Sequence, residues 1–129
     1  SVSPRGDGPT FRNKVRTRMT SALLQSRSAW LPEIFPEATP ERAMAASPEG
    51  SRVVLEASGR AFGAMDVSEP MVVAVGPEGG LDAEELDGLQ AAGFRLASIG
   101  HSILRFETAA VAGVAVARAL LEAKLISDR

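Results

Sequence analysis

Two short stretches hold the residues whose types and spacing could do chemistry. GPEGG (76–80) follows directly on the apolar run Val72–Val75, and IGHSILRFET (99–108) follows the next expected strand. The first packs three glycines and a proline around Glu78; the second carries Gly100, His101, Arg105 and Glu107. Glycines at 76, 79, 80 and 100 let main-chain amides and carbonyls come close to a ligand. In open α/β sheets, ligands bind where parallel strands end. Two such loops, one strand apart, point to a small-molecule site built largely from backbone. The competing reading of GPEGG is a tight connection with no ligand.

Phosphate is the first ligand to test. A phosphate-cradling loop needs Lys followed by Ser or Thr after its glycines, whereas Leu81 and Asp82 follow here and Glu78 sits inside the loop. A carboxylate there repels phosphate, and no GxGxxG fingerprint is present. A cationic ligand, or one held by backbone hydrogen bonds, fits better, and S-adenosylmethionine is such a molecule. Arg105 and Glu107 stand at an expected helix start, where an acid suits the dipole and a structural ion pair is the plain reading. His101, the one histidine, is read as incidental. One His and scattered acids make no metal site.

The elements that must position these loops follow from local pattern. Met71–Val75 reads as a strand buried on both faces, and Arg52–Glu56 and Phe94–Ile99 read as further strands. Asp82 with Glu85 forms a capping-box start for a helix to about Ala92, with Gly93 as its stop. Thr39-Pro40-Glu41 starts a short helix that ends near Ser47. Phe11, Val15, Met19, Ala22 and Leu23 recur at spacings of three and four, which predicts a helix from Thr10 to about Ser28. A brief extended piece follows near Glu33–Phe35. Ala57–Pro70 shows no period and reads as loop, with a weak strand near Ala61–Ala64. Thr108 caps a last helix over 109–124 that is apolar almost all round. Such a helix needs cover on more than one side, from the core or from a second copy of the chain. The alternation of strands and helices indicates an α/β domain with a mostly parallel sheet flanked by helices.

With 129 residues, the chain suits one domain. The absence of cysteine excludes disulfides and covalent thiolate catalysis, and fits a cytoplasmic protein. No apolar run is long enough to cross a bilayer. The net charge of -2 argues against coating nucleic acid by bulk charge. The charge is uneven, however. Arg5, Arg12, Lys14, Arg16, Arg18 and Arg27 face only Asp7 in the first thirty residues, so a local anionic partner and a solvated helix face are both open.

GPEGGLDAEEL (76–86), then a strand, then IGHSILRFETAA (99–110), with SALLQSRSAWLPEI (21–34) upstream, resembles the RsmE family. Its members are SPOUT-superfamily methyltransferases acting on N3 of a uridine in small-subunit (16S) ribosomal RNA. Three motifs in order carry the resemblance. Ile99 stands where Leu is usual in the family, and Phe106 where a small residue or Thr is common. The resemblance implies a SPOUT-type sheet with a C-terminal trefoil knot. It implies S-adenosylmethionine held by Leu55, Val75, Gly76, Pro77, Glu78, Gly79, Gly80, Ile99, Gly100, Ile103 and Leu104. Arg105 and Glu107 would be catalytic, and Arg12, Arg16, Arg18, Gln25, Arg27 and Arg105 would touch RNA. Homodimerisation is expected, with no membrane and no metal. The resemblance also implies that residues 1–129 form the methyltransferase domain without the family's preceding PUA-like barrel, and that 1–9 are a flexible start. Two alternatives stay open: a non-catalytic S-adenosylmethionine-binding and dimerisation module, and a SPOUT enzyme acting on transfer RNA.

Overall fold

The computed structural model describes residues 18–25, 32–46, 50–77, 80–100 and 106–127. They form strands β1 (Met19–Leu24), β2 (Glu33–Ala38), β3 (Ser51–Ala61), β4 (Met71–Val75) and β5 (Arg95–Ser98). The helices are α1 (Pro40–Ala46), α2 (Ala83–Ala91) and α3 (Phe106–Ser127), with a 3-10 turn at Phe62–Ala64. The sheet order is β2-β1-β4-β3-β5. β4 and β5 pair parallel to β3, while β1 pairs antiparallel to both β4 and β2. Four strands therefore run one way and β1 runs against them, so the mostly parallel α/β expectation holds.

Every residue of β4 is buried, which accounts for its continuous apolar run. Alternation divides its side chains between two cores. Met71 and Val73 join Ala22, Leu24, Val53, Phe62, Ala117 and Leu121 under α3. Val72 and Ala74 join Met19, Leu23, Val54, Leu89 and Phe94 under α1 and α2. At about 1.5–3 kcal/mol for each large buried side chain, these two cores hold the three-layer arrangement.

Two local expectations fail. The helix expected through Ser28 is a strand over Met19–Leu24. A spacing of four, as between Met19 and Leu23, suits one face of a strand as well as one face of a helix. The tertiary context decides, since β1 lies between β2 and β4 with core on both sides. Phe11 and Val15, the earlier part of that expected helix, lie outside the described residues. The expected loop over Ala57–Pro70 also differs: β3 continues to Ala61 and the turn follows. The weak strand expected at Ala61–Ala64 is thus the end of β3 and the 3-10 turn. Leu55 and Arg60 both pair with Ala97, so residues 56–59 leave the ladder. That excursion erases the period.

The ends of α2 match their local signals, whereas Thr108, expected to cap the last helix, lies inside it. Asp82 Oδ1 accepts from the Glu85 amide at 2.7 Å, and Glu85 Oε1 accepts from the Asp82 amide at 2.9 Å. Gly93, at φ +93, follows α2, and the Phe94 amide donates back to the Leu89 carbonyl at 2.9 Å. The 22-residue α3 is longer than expected at both ends. Gly113, Ala117 and Leu121 form its buried line. Val111 is 71% exposed and Ile126 68% exposed, so among the described residues α3 is covered on one side. Residues 101–105, which lead into α3, lie outside the described residues, and the C-terminal knot that the resemblance implies is not established among the described ones.

Candidate active site

The strand register assembles the site. Leu55 pairs with Val75 on one side and with Ala97 on the other. Leu55 and the carboxyl ends of β4 and β5 therefore lie level, and the chain leaves β4 and β5 on either side of β3. With strands about 4.8 Å apart, the two exits are about 10 Å apart, with Leu55 of β3 between them.

Leu55, Val73, Ala97 and Ile99 all belong to the core on the α3 side, so the edge below the two loops is apolar. Gly113 brings α3 against that wall. A Cβ there would fall 2.7 Å from Leu55 Cδ1 and 3.3 Å from Val73 Cγ1. α3 runs from this edge towards the amino ends of the strands, where Lys124 Nζ donates to the Val67 carbonyl at 3.2 Å. The first turn of α3, containing Glu107, thus lies on the side of the carboxyl edge.

The two loops begin with bonds of their own. The Gly80 amide donates to the Pro77 carbonyl at 2.8 Å, closing a four-residue turn, and Gly80 takes φ +85, which favours glycine. Gly76 is buried, and a Cβ there would meet Leu81 Cγ at 2.7 Å. At Ile99–Gly100, the Gly100 amide donates to Ser98 Oγ at 3.3 Å, and Ser98 Oγ donates to the Gly100 carbonyl at 3.0 Å. Gly100 has φ +142. Among the described residues, nothing lies within 4 Å of where a Cβ would stand at Gly80 or Gly100. Among the described residues, both backbones are uncovered at those points.

Directly beyond Leu55, the Ser58 hydroxyl and amide both donate to Glu56 Oε2, the amide at 2.7 Å. The hydroxyl bond first, then the amide bond, holds the Glu56 carboxyl below its ordinary value, against a smaller opposing effect of burial. A fixed anion therefore stands beside the pocket wall.

The structure thus brings together Leu55, Val75, Gly76, Pro77, Gly80, Ile99 and Gly100. Glu78, Gly79, Ile103, Leu104 and Arg105 lie outside the described residues, as do Arg12, Arg16 and Arg27; of Glu107, the backbone position alone is described. Arg18 precedes β1, whose Thr20 pairs with Val75, so it stands at the same edge. Gln25 follows Leu24, which pairs with Met71 at the far end of the sheet. Arg18 and Gln25 are separated by about 23 Å of extended chain, and the fold does not bring them together. The sequence reading missed the part played by Gly113. It registers there as one small residue among many on α3, and its meaning depends on what packs opposite.

Three findings bear on kinship. An RNA methyltransferase domain family model matches residues 9–118. A crystal structure of a ribosomal RNA small subunit methyltransferase E from Neisseria gonorrhoeae, bound to S-adenosyl methionine, is similar at TM-score 0.57 and 27% identity. The similarity covers 67% of this chain and 38% of that one, so this chain spans well under half of that protein. No curated protein matches. The family match takes in β1 to β5, both glycine-bearing loops and the part of α3 that meets Leu55; the chain belongs to the RNA methyltransferase domain family.

Proposed function

We propose that this domain transfers a methyl group from S-adenosylmethionine to N3 of a uridine in small-subunit ribosomal RNA. One observation carries the reading: the pairing of Leu55 with both Val75 and Ala97, which brings two open glycine backbones to one edge over an apolar wall. The residues present fit the donor. Leu55, Val75 and Ile99 suit an adenine and a thioether chain, and Gly76, Gly80 and Gly100 suit backbone contact. The similar gonococcal protein, bound to S-adenosyl methionine, supports the same choice. Glu78, Gly79, Ile103 and Leu104 complete the proposed pocket, and a C-terminal trefoil knot belongs to the same reading.

Bound there, S-adenosylmethionine supplies an electrophilic methyl on a sulfonium. The chain's task is to hold donor and uracil in line and to keep water out, which by itself lowers such a barrier substantially. Uridine N3 carries a proton that must leave. In this reading Arg105 positions a uracil carbonyl or a phosphate, and Glu107 orients Arg105 or accepts that proton. Arg12, Arg16, Arg18, Gln25 and Arg27 attract or contact the RNA. Among the described residues no group of three His, Asp or Glu side chains could hold a metal, and no helix is long and apolar enough to cross a membrane. Work on ribosomal RNA makes the cytoplasm the expected compartment.

Calorimetric titration with S-adenosylmethionine tests the pocket; absence of heat and of any thermal shift would sink the reading. Incubation with labelled donor and separate ribosomal and transfer RNA, followed by nucleoside mass spectrometry, tests the substrate. N3-methyluridine in small-subunit RNA is the expected product. Methylation of transfer RNA alone favours the tRNA alternative, and donor binding without transfer to either favours a binding module.

A further inference from the structure

Strand β3 carries a feature that the methyl-donor pocket does not use. Because Leu55 and Arg60 both pair with Ala97, residues Glu56–Gly59 are extruded at the edge where the pocket opens. Two contacts hold this excursion in place. Gly59 lies against the backbone of β5, where a Cβ would fall 2.4 Å from the carbonyl carbon of Leu96 and 2.5 Å from the amide nitrogen of Ala97. Glu56 is folded back onto Ser58 through its Oε2. The excursion ends at Arg60, which is exposed and whose side chain, among the described residues, makes no hydrogen bond or ion pair. Glu56 Oε2 accepts both Ser58 bonds, which holds that carboxylate in the turn. Leu55 and Arg60 each lie one strand spacing, about 4.8 Å, from Ala97. The guanidinium is therefore within a side chain's reach of the pocket rim. Arg18 stands at the same sheet edge, on the other side of β4.

We propose that Arg60 is an RNA-phosphate contact that grips the backbone beside the nucleotide being methylated; this rests on the methyltransferase reading above. A base that enters a pocket leaves its phosphates at the rim. A guanidinium fork matches phosphate oxygens in pairs. Such a contact sets the register of the strand and carries no base information. Because Gly59 and the Glu56–Ser58 bonds already order the backbone, the freedom lost when the phosphate arrives is that of the Arg60 side chain.

The test uses a short uridine-containing single-stranded RNA, its affinity measured over a range of salt, and S-adenosylmethionine affinity and melting temperature measured alongside. Arg60→Ala is expected to weaken RNA binding about three- to tenfold and to lower the salt slope by about 0.7. Arg60→Glu weakens it further. Arg60→Lys, which keeps the charge but loses the fork, retains the slope with intermediate affinity and serves if the other variants melt early. Arg95→Gln, at the amino end of β5 where Arg95 donates to Ser51 Oγ, leaves RNA affinity unchanged. Unchanged RNA affinity and slope in Arg60→Ala, with donor binding intact, overturns the assignment and leaves the methyltransferase reading standing. RNA binding absent from the unsubstituted chain overturns it as well. Loss of donor binding in the unsubstituted chain is the separate result that sinks the parent reading.

Discussion

At the residue scale the structure separates side chains that look alike in sequence. Gly113→Ala gains roughly 1 kcal/mol of helix propensity, but its new methyl must displace the Leu55 Cδ1 that lies 2.7 Å away. That atom ends a flexible side chain, so the two effects offset in stability to within about 1 kcal/mol. The Leu55 wall shifts all the same. Melting temperature is expected to stay nearly constant while S-adenosylmethionine affinity falls, and calorimetry checks both. Ser21 is 2% exposed and its hydroxyl has no hydrogen-bond partner among the described residues. Ser21→Ala removes a desolvated group that gains nothing, so urea unfolding is expected to show about 1 kcal/mol of added stability. Ser58→Ala removes the larger cause of the lowered Glu56 pKa. A carboxyl depressed in the folded state stabilises above its unfolded pKa and loses that stability as pH falls through the folded one. In the variant the Glu56 titration, followed by NMR, is expected to move up towards an ordinary glutamate. The acid-side loss of stability shrinks correspondingly.

At the element scale, short local signals and long-range pairing differ in what they specify. The start of α2 is set by side chains three residues apart, so Asp82 and Glu85 could be read directly. Asp82→Ala leaves the Glu85 amide without its acceptor and is expected to cost about 1 kcal/mol in chemical denaturation. Because Asp82 follows the Pro77–Gly80 turn closely, donor affinity should fall with it. β1 shows the opposite case. Its apolar spacing suits helix and strand alike, and its pairing with β2 and β4 makes it a strand. β3 was legible as far as Glu56. Beyond that point its course depends on Ala97, more than thirty residues away, which no local window includes.

At the scale of the whole molecule, α3 links the site to assembly. Its buried line reaches the pocket wall through Gly113, while Val111 and Ile126 are left uncovered on the same helix. A second copy of the chain is the cover proposed for that side, in keeping with a homodimer. Light scattering at increasing concentration is expected to show a dimer, and Val111→Glu to shift it towards monomer by burying a charge in an apolar contact. Monomer at all concentrations in the unsubstituted chain would remove the proposal.

The sequence by itself determined the turn glycines, the caps of α1 and α2 and the doubly buried β4, and it argued against phosphate as the ligand. These depend on residue types within a few positions of one another: φ freedom at glycine, a carboxylate at a helix start, the apolar run of a central strand. The three motifs in order also carried the family resemblance. Tertiary structure decided the rest. That Leu55 stands between the two loops, that Gly113 admits α3 to the wall, that Arg18 and not Gln25 reaches the site edge, and that Arg60 returns to the rim are all matters of strand register. Register is set by which residues pair across the sheet, and the partners here lie tens of residues apart in the chain.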